Sequence, residues 1–304
     1  MNKFNLKGSI PALITPFKAD MTVDYNRLAQ LIEFHIENKS AGILILGTTG
    51  EASTMTFEEE KEMVAFVIKK VAKRIPIIAG SGSNRTATAV ETSLAFESLG
   101  VDALLLITPY YNRTNDSGMI KHFEMVADVI NTPIILYTVP SRTSCHLPVH
   151  VVEILSKHPR IFGIKDATGD FSYSMKISRY VSNDFHLYSG NDDTIVPLLS
   201  LGATGVISVW ANFMPTVTQQ IVMSYLDGQH NTSLVLQQKY LDLVHALFVE
   251  TSPIPLKYIM KQLGLDSGLM RLPLDELSPD GKKLIDSLLT AEIKQFANIR
   301  KGDA

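Results

Sequence analysis

Eight short apolar runs recur along the chain, at 11–16, 42–47, 75–80, 102–109, 133–139, 161–166, 185–190 and 204–209. Most open or close on Gly or Pro, and they are predominantly apolar rather than strictly alternating with polar residues. Such runs predict strands buried on both faces, as in a parallel sheet covered by helices. The segments between them carry apolar residues near a 3.6-residue period, as in "YNRLAQLIEFHIE" from residue 25 and "FEEEKEMVAFVIKKVAK" from residue 57. Thr56 and Glu59 stand at capping-box spacing ahead of the second segment.

Eight strand–helix units point to an α/β fold, a (β/α)8 TIM barrel with a C-terminal helical extension. The expected organisation is a catalytic barrel over residues 1–230 and an extension over 231–304, read as three helices broken at "SPIPLK" and "GLDSG". The rival is an open doubly wound sheet. Neither G-x-G-x-x-G nor a P-loop follows the first strand, which removes the usual nucleotide signature of that rival.

Composition narrows the partners. Hydrophobic residues make up 45% and charged residues 19%, the balance of an ordinary globular protein. Lys plus Arg total 28 against 31 for Asp plus Glu, and no basic block stands out, so no nucleic-acid partner is expected. The single cysteine, Cys145, excludes an internal disulfide and fits a reducing compartment. Gly8, Ser9 and Pro11 interrupt any signal-peptide core, and runs such as "ALLLI" are too short to span a bilayer. A cytoplasmic protein with no membrane association is expected.

Active sites of such barrels lie where the strands end. The strand ends here read "GTTGE" (47–51), "TPYYNRT" (108–114), "YTVPSRTS" (137–144), "GIKDATG" (163–169), "YSGNDD" (188–193) and "GVISVWAN" (205–212). Lys165 closes an apolar strand. Burial there would favour the neutral amine, a nucleophile for carbonyls; a lysine that snorkels to water or pairs with Asp166 is the equal alternative. Tyr137, one strand away, offers a phenol to move protons, or simply an amphipathic cap on the core. The hydroxyls and N–H groups of "GTTGE" suit a carboxylate, unless the segment is only a turn. Arg142 has a fork that fits a carboxylate, or a surface ion pair.

Two other signals lead nowhere. Cys145, His146 and His150 are spaced like metal ligands, but Pro148 starts a helix that puts the histidines on different faces, so no metal is expected. "SGNDD" is acidic where phosphate-binding barrels present bare backbone, which disfavours a phosphorylated substrate.

Taken together and in this order, the six motifs resemble the dihydrodipicolinate synthase family, within the pyruvate aldolase superfamily that also holds N-acetylneuraminate lyase. The resemblance runs from "GSIPALITPF" to about residue 276, and "SRT" after the strand-five tyrosine favours the synthases over the sugar-acid lyases. It implies condensation of pyruvate with L-aspartate 4-semialdehyde to 4-hydroxy-tetrahydrodipicolinate, in lysine and diaminopimelate biosynthesis. Lys165 would carry pyruvate as a Schiff base, with no cofactor. Tyr137, Thr48 and Tyr111 would relay protons, Tyr111 reaching into a neighbouring subunit of a homotetramer built as a dimer of dimers. Thr49 and the "GTTGE" backbone would hold the pyruvate carboxylate, Arg142 the carboxylate of the semialdehyde, and Gly190 and Ile207 would line the pyruvate pocket.

Thr138, Ser144 and Asp166 depart from the Asn, Gly and Glu usual in the family. A pyruvate-dependent aldolase for 2-keto-3-deoxy sugar acids and a non-catalytic metabolite binder remain alternatives; Arg142 speaks against the first and the intact Lys165 set against the second. Tyr110, Gly82 and Asn84 match the family's pattern for feedback by L-lysine, but Thr88 and Phe57 replace the usual Glu and His. Weak or absent inhibition is therefore expected, with Glu60 as the group able to restore the charge.

Overall fold

The computed structural model describes residues 6–296. Eight parallel strands follow one another around a barrel: β1 (Gly8–Pro11), β2 (Ile43–Ile45), β3 (Ile77–Gly80), β4 (Ala103–Ile107), β5 (Ile134–Thr138), β6 (Ile161–Asp166), β7 (His186–Ser189) and β8 (Gly205–Ser208). The ladders run β1-β8-β7-β6-β5-β4-β3-β2. The remaining gap closes through an Ala12–Leu44 bridge and the Leu13 N–H donating to the Leu44 carbonyl at 2.8 Å. The barrel expected from eight uniform apolar runs is thus present, and the reason lies in two separate cores. Alternate residues such as Ile10, Leu44, Ile78, Leu105 and Ile135 fill the barrel interior, while their neighbours Ile43, Ile45, Leu104 and Ile134 pack beneath the helices. Both faces of each strand are therefore dry, as continuous apolar runs require.

The first strand lies earlier than its apolar run. β1 pairs with β8 only as far as Pro11, and 12–16 continue as buried loop across the top of the barrel. There the backbone N–H groups of Ala12 and Ile14 donate to Ser208 O and Asn212 Oδ1, so the segment is apolar without being strand. Gly8 enters β1 at φ +126°, and a Cβ there would lie 2.8 Å from that of Ala41.

The helix Phe57–Val71 opens with the expected capping box between Thr56 and Glu59. Among the described residues, five further helices rather than three follow the helix Pro215–Leu226: His230–Lys239, Leu241–Ala246, Ile254–Gln262, Pro279–Leu288 and Ala291–Phe296. The first of these turns Ser233 and Gln237 inward, where they bond Ile221 O and the Val196 N–H, and so lacks an apolar stripe. Among the described residues no helix is long and apolar enough to cross a membrane.

Candidate active site

Ladder register sets the site. Tyr137 on β5 lies opposite Lys165 on β6, which lies opposite Tyr188 on β7, and all three side chains are buried; Tyr137 and Lys165 face the top of the barrel, whereas Tyr188 turns to its base and donates to Leu6 O at 2.8 Å. The Lys165 Nζ sits 4.3 Å from the centre of the Tyr137 ring. Burial draws the amine down from 10.5 to about 8, against the opposing pull of the Asp192 carboxylate. Asp166 points the other way: its carboxylate accepts from the Thr168 N–H and hydroxyl and from the Ser174 hydroxyl. Strand alternation sends consecutive side chains to opposite faces, which separates Lys165 from Asp166, and at 5% exposure Lys165 does not snorkel to the surface.

Burial pushes the Tyr137 phenol up to about 12, while a hydrogen bond with Thr48 and the charge of Arg142 act the other way. A cavity of about 130 Å³ opens above Lys165, with Thr48, Thr49, Tyr137, Arg142 and Gly190 in its wall. Gly190 is there by necessity: a Cβ would lie 2.6 Å from that of Ala167 and 2.9 Å from the Asp166 carbonyl oxygen. Arg142 is exposed, and its Nη2 donates to Ser252 O at 2.6 Å, which holds the guanidinium over the entrance.

Two expected residues stand apart. Ile207 is buried inside the barrel, but Val209, two residues on, lines the cavity. Tyr111 is 92% exposed at φ +65° and takes no part in this cavity within one chain. Cys145, His146 and His150 also diverge: the Cys145 thiol donates to Pro109 O, His146 stacks edge-on against Tyr173, and His150 pairs with Asp116.

Three contributors escaped the sequence reading. Asp192 is buried, with Oδ2 accepting the Val209 and Trp210 N–H groups and Oδ1 left without a hydrogen-bond partner. Burial raises its carboxyl to about 6. The acidic doublet after strand seven carried that signal. Phe248 and Ser252, both from the C-terminal region, complete the cavity wall, and no local pattern marks them.

A larger cavity of about 410 Å³ lies alongside, between the ends of β2, β3 and β4. It shares Thr48, Tyr137 and Arg142 with the first but excludes Lys165, whose amine opens only onto the smaller one. Glu60 lines it, with a carboxyl that burial pushes up to about 7.

With this geometry in view, similarity to known proteins is informative. The family model described as "Dihydrodipicolinate synthetase family" matches residues 5–292. The chain is 46% identical over 294 residues to 4-hydroxy-tetrahydrodipicolinate synthase 1 of Clostridium acetobutylicum, covering 97% of this chain and 99% of that one. Its fold is similar to the crystal structure of dihydrodipicolinate synthase from Aquifex aeolicus, with a TM-score of 0.90, 38% identity, and coverage of 93% and 97%. It also resembles the chloride-inhibited synthase from Acinetobacter baumannii complexed with pyruvate, with a TM-score of 0.92, 37% identity, and coverage of 96% and 100%.

Proposed function

The chain belongs to the dihydrodipicolinate synthetase family, and we propose that it condenses pyruvate with L-aspartate 4-semialdehyde through a Schiff base on Lys165. The product is 4-hydroxy-tetrahydrodipicolinate, on the route to diaminopimelate and lysine. The observation that carries this reading is the buried amine at the barrel mouth, with its pKa lowered to about 8 beside Tyr137.

The Lys165 amine adds to the pyruvate carbonyl, and loss of water from the carbinolamine leaves an iminium. Tyr137, with a phenol near 12, stays protonated at neutral pH. It therefore acts as a hydroxyl that passes protons through Thr48, not as a standing phenolate base. Loss of a methyl proton gives the enamine, whose carbon attacks the semialdehyde carbonyl. The substrate amine then displaces Lys165 at the imine carbon, closing the ring and returning the free lysine.

Thr49 and the backbone of the "GTTGE" turn hold the pyruvate carboxylate. Arg142 takes the carboxylate of the semialdehyde, Gly190 leaves room beside the imine, and Ile207 supports the pocket from inside the barrel. The imine itself is the electron sink, so the reaction calls for no cofactor. Tyr111 is assigned to a neighbouring copy's site in a homotetramer. A tyrosine 92% exposed at a left-handed backbone position supports that role. Borohydride reduction in the presence of pyruvate is expected to inactivate the enzyme and add the pyruvate unit to the Lys165 peptide. Labelling at another residue would overturn the assignment.

A further inference from the structure

Glu51 ends the "GTTGE" turn at φ +56°, a left-handed position where glycine is easier to place. Its side chain does not face the cavity. It runs down into the protein, 2% exposed, and meets the ammonium group of Lys257 at 3.4 Å. Lys257 lies on the helix Ile254–Gln262 and is wholly buried, with Asp266 at 3.6 Å on its other side. Lysine is almost never fully buried without partners, and this one has four. Besides the two carboxylates, it donates to Thr15 O at 2.6 Å and to Leu269 O at 2.7 Å.

Two of these contacts, Glu51 and Thr15, lead back to the same turn. The Thr15 hydroxyl donates to Gly50 O at 2.6 Å, so Lys257 reaches the turn through Thr15 as well as through Glu51. The Arg271 N–H donates to Glu51 Oε2, while its guanidinium clamps Glu59 at the start of the helix that follows the turn. Lys257 and Arg271 also share the Phe17 ring, at 4.8 and 4.7 Å. The segment around Thr15 and a C-terminal region more than two hundred residues further along the chain thus converge under one five-residue turn.

We propose that Lys257 and Glu51 are positioning residues for the reaction: their buried ion pair fixes the Thr48–Thr49 backbone at the pyruvate carboxylate, making the C-terminal helices part of the substrate-binding apparatus. The inference rests on the reading of Thr48 and Thr49 given above. Neither Glu51 nor Lys257 touches substrate. Their action is to hold the turn against the rotation that a loosely tethered glycine-rich loop permits.

The cluster sets one cation against two carboxylates, which selects the test variant. Glu51→Gln keeps an acceptor for the Arg271 N–H and leaves a balanced Lys257–Asp266 pair. Lys257→Met strands two buried carboxylates, and its folding is less secure. The readouts are the pyruvate concentration giving half-maximal borohydride trapping and the pH at which trapping sets in.

For Glu51→Gln the half-saturating pyruvate is expected to rise at least about tenfold, because small displacements of a positioning group carry large penalties. The onset pH, which reports the Lys165 amine, stays as in the wild type. Folded Lys257→Met behaves alike; if it does not fold, Glu51→Gln decides alone. Unchanged half-saturation in Glu51→Gln, whatever its thermal stability, overturns the proposal. Failure of the wild type to trap pyruvate at Lys165 overturns the underlying reading instead.

Discussion

The amine of Lys165 is held in the barrel mouth with its pKa drawn from 10.5 down to about 8, chiefly by burial. Below that pH, folding must strip water from a charge it could otherwise leave exposed. Between about pH 8 and 10.5 the unfolded lysine carries a proton that the folded one has released. The contribution of Lys165 to stability therefore rises with pH across that window and is lowest below it. At pH 7 the depression costs about 3 kcal/mol, and at pH 10 only about 1 kcal/mol. Lys165→Met, similar in length and free of charge, removes the whole effect. The variant should be inactive yet more stable at pH 7, by about 3 kcal/mol or about 5 °C in Tm for a chain of this size. Urea unfolding of both proteins at pH 7 and pH 10 measures the difference, which should shrink about threefold at the higher pH. A variant less stable than the wild type at pH 7, or an advantage equal at both pH values, would refute the assignment of a desolvated amine.

Asp192→Asn removes the charge that props up the Lys165 pKa, so the pH at which pyruvate trapping sets in should fall; an upward shift contradicts the geometry. Arg142→Ala should cost about 2–3 kcal/mol, one to two decades in kcat/KM for the semialdehyde, while trapping with pyruvate alone persists. If trapping collapses along with turnover, Arg142 supports the fold rather than the second substrate. L-lysine should inhibit weakly or not at all, and a titration of initial rates at pH 8, where Glu60 is mostly ionised, tests this most severely; half-inhibition below a millimolar would assign Glu60 the missing charge.

The barrel was legible because its strands are dry on both sides, and dryness leaves a continuous apolar run that needs no partner to recognise. The same rule misplaced β1, since 12–16 are equally dry but bond to β8, β2 and Asn212 as a loop. The tail was undercounted for the opposite reason. Ser233, Gln237 and Lys257 point inward from its helices, so polar residues occupy positions where periodicity looks for apolar ones. Lys165, Tyr137, Thr48, Thr49 and Gly190 fall at strand ends, where topology alone brings them together. Ser252 meets Arg142 across 110 positions, and Glu51 meets Lys257 across 206, separations at which spacing carries no information.

The cavity has two kinds of wall, and they differ in how freely they can change. The end that holds the amine is made of strand termini with no slack: even a methyl group at Gly190 would collide with Ala167. The entrance is made of Arg142 on an exposed turn together with Phe248, half exposed, and Ser252 from the chain beyond the barrel. Substitutions at the entrance therefore leave the backbone of the reacting end in place, although loss of the Arg142 charge is felt at Tyr137. On the function proposed above, remodelling a handful of entrance side chains would change the acceptor aldehyde while the pyruvate half of the reaction stays constant. For an engineer seeking a new acceptor, Phe248 and the Arg142 turn are the positions to randomise, and Gly190 is the one to leave alone.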